Sequence, residues 1–153
     1  MSSPDAAVHG DAALRTLADY YSAFSTLEVQ AVLPYFHEPS MFITPQGVYA
    51  AATFAALAAA VAPAMEGLRT REYGRSELSV GHVKSLGASA TLVTGVAIRY
   101  KRDGQELERA GVTYILHKAE TGWKIAVLIL HNADQSPSEG KSTVAEKPVS
   151  DKV

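Results

Sequence analysis

The stretch 88–131, ASATLVTGVAIRYKRDGQELERAGVTYILHKAETGWKIAVLILH, decides how this chain folds. Apolar and polar residues alternate along it with a period of two, the signature of strands with one covered face. Two interruptions, Asp103-Gly104 and Thr121-Gly122, supply tight-turn chemistry, and the first is a strong hairpin signal between alternating segments. Strands are therefore expected over about 88–102, 105–117 and 122–131, preceded by a further one over about 68–83. Consecutive hairpins make this an antiparallel meander.

Upstream the period changes. Leu14, Leu17, Tyr20, Tyr21 and Phe24 recur at three- and four-residue spacings, which predicts an amphipathic helix from about Asp11 to Ser25. A short second helix is expected near Glu28 to Phe36. Pro39 then breaks helical geometry, Met41-Phe42-Ile43 reads as a short strand, and Thr44-Pro45-Gln46-Gly47 makes a turn. The alanine-rich run Ala50–Met65 is expected as a buried helix, being too short and too interrupted by Pro63 to cross a bilayer. Helices first and a meander afterwards imply one α+β domain with the sheet curling over the helices.

The ends carry no such period. Residues 1–10 and 134–153 are rich in small, polar and charged residues that cannot offset their ordering entropy, so both are expected as loose tails around a domain over 11–133. With 153 residues, 47% of them apolar, the chain has material for a single core. Its 14 basic and 16 acidic residues show no basic stripe, which argues against nucleic acid as a partner. The absence of cysteine excludes disulfides and thiolate chemistry. Met1–Gly10 has no basic segment followed by an apolar one, so a cytoplasmic location is expected, with no membrane partner.

Strand parity assigns the faces. Val96, Ile98 and Tyr100 are expected to face the helices, together with Val112 and Tyr114, and with Trp123, Ile125, Val127, Ile129 and His131. Arg99, Lys101, Arg109, Thr113, His117 and Lys124 then fall outside, joined by Ala126, Leu128 and Leu130. Leucines on the outer side of the last strand imply a partner subunit on the sheet, and hence a homodimer.

The order of elements, Ala23 late in the first helix, the Thr44–Gly47 turn and the closing Gly122-Trp123-Lys124-Ile125 together resemble the NTF2-like superfamily, nearest its SnoaL-like group, over about Ala12 to Asn132. The resemblance implies a cystatin-like cone, with three N-terminal helices packed in a strongly curved antiparallel sheet and a pocket at the wide end. Against the ketosteroid isomerases of that superfamily, the helix-one tyrosine falls on Tyr20. Their catalytic aspartate falls on Thr44, which cannot take a proton near neutral pH, and their second oxyanion-hole acid falls on Tyr114. A pocket-lining position falls on His131.

Two uses of such a pocket follow. In the first, the cone binds a small, largely apolar molecule among Tyr20, Phe24, Phe36, Phe42, Thr44, Ile98, Tyr100, Val112, Tyr114 and Ile129, since no Asp or Glu is expected to face inward. In the second, it is a cofactor-free isomerase, cyclase or lyase acting on a ketone-containing molecule, with Tyr20 and Tyr114 as oxyanion donors and His131 as base. A protein-interaction role is a third reading, from fold analogy. Each site residue also has a plainer use: Tyr20 lies on a core stripe, Tyr100 and Tyr114 suit strand packing, and His131 ends its strand. His37-Glu38 lacks a third ligand, and His9, His82 and His117 are scattered, so no metal site is expected. No phosphate loop or nucleophile elbow is present either.

Overall fold

The computed structural model describes residues 4–133. The first helix, α1 (Pro4–Phe24), begins well before the expected Asp11. Pro4 has its φ pre-set for a first helical position and alanines follow it, so propensity extends the helix without an apolar period. Residues 4–10 are thus helical rather than a tail, while 134–153 lie outside the described residues. After α1 come α2 (Val29–Val32) and a single 3-10 turn, Leu33–Tyr35, where one short helix was expected.

Strand β1 (Phe36–Thr44) is longer than the expected Met41–Ile43, and it forms a hairpin with β2 (Gly47–Ala51). The Thr44 hydroxyl shapes the turn between them, accepting from Gln46 N at 3.1 Å and donating to Gly47 O at 3.4 Å. Helix α3 (Phe54–Thr70) starts where Thr53 Oγ1 accepts from Ala56 N, a standard N-cap. Only Leu57, Met65 and Leu68 of it are buried, so the expectation of a buried helix is corrected: its alanines cover a concave surface from outside.

The meander follows as β3 (Tyr73–Ser85), β4 (Ala90–Lys101), β5 (Glu106–Ala119) and β6 (Gly122–His131). Gly104, at φ +95°, makes the β4–β5 turn that the Asp-Gly pair predicts. The six strands run in the order β2-β1-β6-β5-β4-β3. All neighbours are antiparallel except β1 and β6, which are parallel, so the sheet is mixed. It wraps α1, which packs against β3, β4 and β6. This is the α+β cone that the sequence implies. The β3–β4 ladder is irregular between Val80 and His82, and there a Cβ on the facing Gly95 would collide with the Ser79 carbonyl oxygen.

Pairing across β4, β5 and β6 defines rows on the inner face. Thr91, Leu116 and Ile125 make the first row, Val93, Tyr114 and Leu128 the second, and Gly95, Val112 and Leu130 the third. Ala97 with Ala110, then Arg99 with Glu108, continue toward the mouth. The expected parity of β4 is therefore reversed: Val96, Ile98 and Tyr100 are outside, and Gly95, Ala97 and Arg99 are inside. On β6 the expectation holds for Trp123 and Ile125 and then fails. Leu116 pairs with Ile125 but its neighbour Ile115 pairs with Val127, so Ala126 is an extra residue, a β-bulge. Beyond it Leu128 and Leu130 turn inward, while Val127, Ile129 and His131 turn outward. The outer leucines that implied a dimer are thus inside.

Candidate functional site

Gly95, Ala97 and Ala110 make the middle of the inner face small, and beside them lies a cavity of about 370 Å³ between the sheet, α1 and α3. Helix α1 contributes Tyr20, Tyr21 and Phe24, β1 contributes Phe36 and Phe42, and Tyr49 comes from β2. Ala60, Val61 and Ala64 of α3 close one side. Ser76, Ala97, Arg99, Val112, Tyr114, Leu128 and Leu130 come from the meander. Tyr49 ties β2 to α3 by donating to the Ala56 carbonyl at 3.2 Å, which fixes that side of the mouth.

An aromatic cluster floors the cavity. The Tyr20 ring meets Tyr21, Phe24, Phe36 and Tyr114 edge-on, with centroids 5.3–6.5 Å apart, the geometry aromatic quadrupoles favour. The hydroxyls of Tyr21 and Tyr114 share a hydrogen bond of 2.8 Å. The Tyr20 hydroxyl makes none among the described residues. Burial raises the pKa of all three: Tyr21 is pushed up to about 12 despite the bond from Tyr114, and Tyr20 and Tyr114 also move well upward. These phenols are neutral donors at any ordinary pH.

At the mouth stands an ion-pair cluster. Arg99 Nη1 donates to Glu108 Oε2, and Arg71 Nη1 donates to Glu108 Oε1 at 2.9 Å. Partial burial works against the Glu108 charge, but the hydrogen bonds from Arg99 and Arg71 outweigh it and hold the carboxyl below the ordinary glutamate range. The expectation of an inner face without acids is corrected here: Glu108 is on that face, engaged on both oxygens.

Of the residues singled out from sequence, the structure brings Tyr20, Phe24, Phe36, Phe42, Val112 and Tyr114 together around one space. It does not bring Thr44, Ile98, Tyr100, Ile129 or His131 there. Thr44 is committed to its turn. Tyr100 points outward, its ring under Arg75 at 4.4 Å and its hydroxyl on Glu77 at 3.3 Å. Ile98 and Ile129 are outside by the parity reversal and by the bulge. His131 is on the outer face too, its Nε2 2.9 Å from Thr113 Oγ1 and its Nδ1 3.1 Å from the Asn132 carbonyl oxygen. Its ring lies over Gly111, where a Cβ would strike it. No base among the described residues therefore reaches the tyrosines from the last strand. His37 and His117 meet edge-on at 5.1 Å, and no group of three or more His, Asp or Glu among the described residues is placed to hold a metal ion.

Sequence reasoning missed Tyr21, Tyr49, Ala60, Val61, Ala64, Ser76, Ala97, Arg99, Leu128 and Leu130 as lining residues. Tyr21 was legible on the α1 stripe. Leu128 and Leu130 carried a signal in being apolar on a strand already apolar on its other face.

Residues 11–133 match a family model described as NTF2-like protein (DUF6841). Among solved structures, the fold is similar to an NTF-2 like protein of unknown function from Shewanella oneidensis, with a TM-score of 0.64 and 17% identity over 80% of this chain and 98% of that one. It is also similar to an NTF2-like protein with a cystatin-like fold from Novosphingobium aromaticivorans, with a TM-score of 0.62 and 13% identity over 82% of each chain. A ketosteroid isomerase-like protein from Erwinia carotovora atroseptica gives 0.57 and 16% over 80% of this chain and 95% of that one. No curated protein matches the sequence.

Proposed function

The chain belongs to the NTF2-like family, and from that premise we propose that it is a small-molecule-binding domain whose cone takes a compact, largely apolar ligand. One observation carries the reading: a cavity of about 370 Å³, closed at one end by a packed core and floored by aromatic rings. That volume lies in the range of small-molecule pockets, and apolar walls with a few fixed polar groups are their usual construction. The arrangement with His131 as base is withdrawn, because that ring lies on the other side of the sheet.

Calorimetric titration with 2-naphthol, a neutral two-ring probe, tests the reading on the wild type and on Ala97→Leu, which adds a side chain on the inner face beside the cavity. Binding to the wild type that is lost in the variant, with circular dichroism unchanged, is the expected result. Absence of binding to the wild type overturns it.

We also propose that the outer sheet face mediates a homodimer. Val96, Ile98, Val127 and Ile129 lie on it, half-buried, in place of the leucines first assigned there. Light scattering at micromolar concentration tests this, and a clean monomer mass rejects it.

A further inference from the structure

Among the described residues, Arg99 is the one charged side chain lining the cavity. It projects from β4 in the inner-face row nearest the mouth, beside Ser76 on β3, with its guanidinium carbon 5.7 Å from the Phe24 ring centroid. A guanidinium presents five N–H donors in a planar fork. Glu108 takes one of them, and among the described residues no other acceptor meets Arg99. The Glu108 carboxylate is also shared, since Arg71 occupies its second oxygen. Two guanidinium charges against one carboxylate leave this cluster net positive, on the rim of an apolar space. The aromatic floor adds a second donor without a partner among the described residues, the Tyr20 hydroxyl.

Donors facing an apolar, low-dielectric space gain most from a ligand that brings an acceptor to them. We propose that the ligand of this cavity is an amphipathic carboxylate, an aryl or short alkyl acid, with its carboxylate on the free edge of Arg99 and its apolar body on the aromatic floor. This rests on the reading of the cavity as a small-molecule site and adds the ligand's class. Glu108 has two effects: it anchors Arg99 in position through a bond that Arg71 steadies, and its charge opposes the incoming anion, which sets how tightly acids bind. Arg99 is then the residue that separates acids from neutral molecules of the same shape, and the aromatic floor is indifferent to that distinction.

Calorimetry with 2-naphthoate and 2-naphthamide, which share a ring system and differ in charge, tests the proposal on the full chain. The wild type is expected to bind naphthoate at least about tenfold more tightly than naphthamide. Arg99→Gln should bring naphthoate down to the amide's level and leave the amide unchanged. Glu108→Gln should tighten naphthoate severalfold, again without effect on the amide, and it decides the matter if Arg99→Gln fails to fold by circular dichroism. Equal binding of the two probes to the wild type, or naphthoate binding unaffected by both substitutions, overturns the carboxylate assignment and leaves the cavity reading standing. Failure of both probes to bind the wild type overturns the cavity reading and this inference with it.

Discussion

The two ends of the cone are built from the same helix and the same three strands, yet one is filled and the other is not. At the narrow end Leu17, Leu116 and Ile125 are at most 1% exposed, and Trp123 covers them with its carbonyl accepting from Thr16 Oγ1 at 3.1 Å. At the wide end β4 and β5 carry Gly95, Ala97 and Ala110 on the inner face, and aromatic rings with Val112, Leu128 and Leu130 are set around a space. Residue size along β4 and β5, rather than polarity, divides the two. A strand that must both close a core and line a cavity carries branched residues at one end and small ones at the other.

The largest expected effect breaks the filled end. Leu116→Ala leaves a void with no solvent access and should cost about 2–5 kcal/mol, measured by urea denaturation. A smaller loss is expected where the ends meet. Tyr21→Phe strips the Tyr114 hydroxyl of its partner at 2.8 Å and should cost about 1–3 kcal/mol. Adding Tyr114→Phe should recover part of that loss, because no hydroxyl is then left unpaired, and a double-mutant cycle reads the coupling.

The same pair sets an alkaline limit. Unfolded, Tyr21 ionises near 10.0, whereas folded it keeps its proton to about 12. The folded state then holds more protons between these values. Stability owed to Tyr21 is intact below pH 10 and declines as pH rises toward 12, which phenolate absorbance and circular dichroism should show together. The smallest effect on stability belongs to the open end. Ala97→Leu puts atoms beside empty space, so it should stay within about 1 kcal/mol while removing ligand binding. A loss like that of Leu116→Ala would show that the two ends are one packed core.

Much of the fold was legible. Periodicity located the meander and the stripe of α1, and the helical half of the site followed, since Tyr20 and Phe24 share the face that Leu17 buries. β2 was not legible because its residues are exposed until Ala51 and carry no alternation. The strand half of the site failed for two physical reasons. On β4 the larger apolar residues, Val96, Ile98 and Tyr100, were assigned to the inside, but a cavity wall uses small residues and places the larger ones on the outer face. On β6 the parity argument assumed an unbroken ladder. Arg99, whose guanidinium suits an anion, was set on the outer face by the same parity, whereas the structure places it inside, where Glu108 pairs with both it and Arg71 at the mouth.

Ala126 acts on β6 as a single-letter insertion acts on a coding sequence: everything downstream is read in the other frame. Upstream of it the odd-numbered residues face inward, and downstream the even-numbered ones do. Deleting Ala126 would remove the extra residue and leave an unbroken ladder in which Leu128 and Leu130 keep their β5 partners and still face the cavity, so the bulge changes which numbers point inward without changing which side chains do.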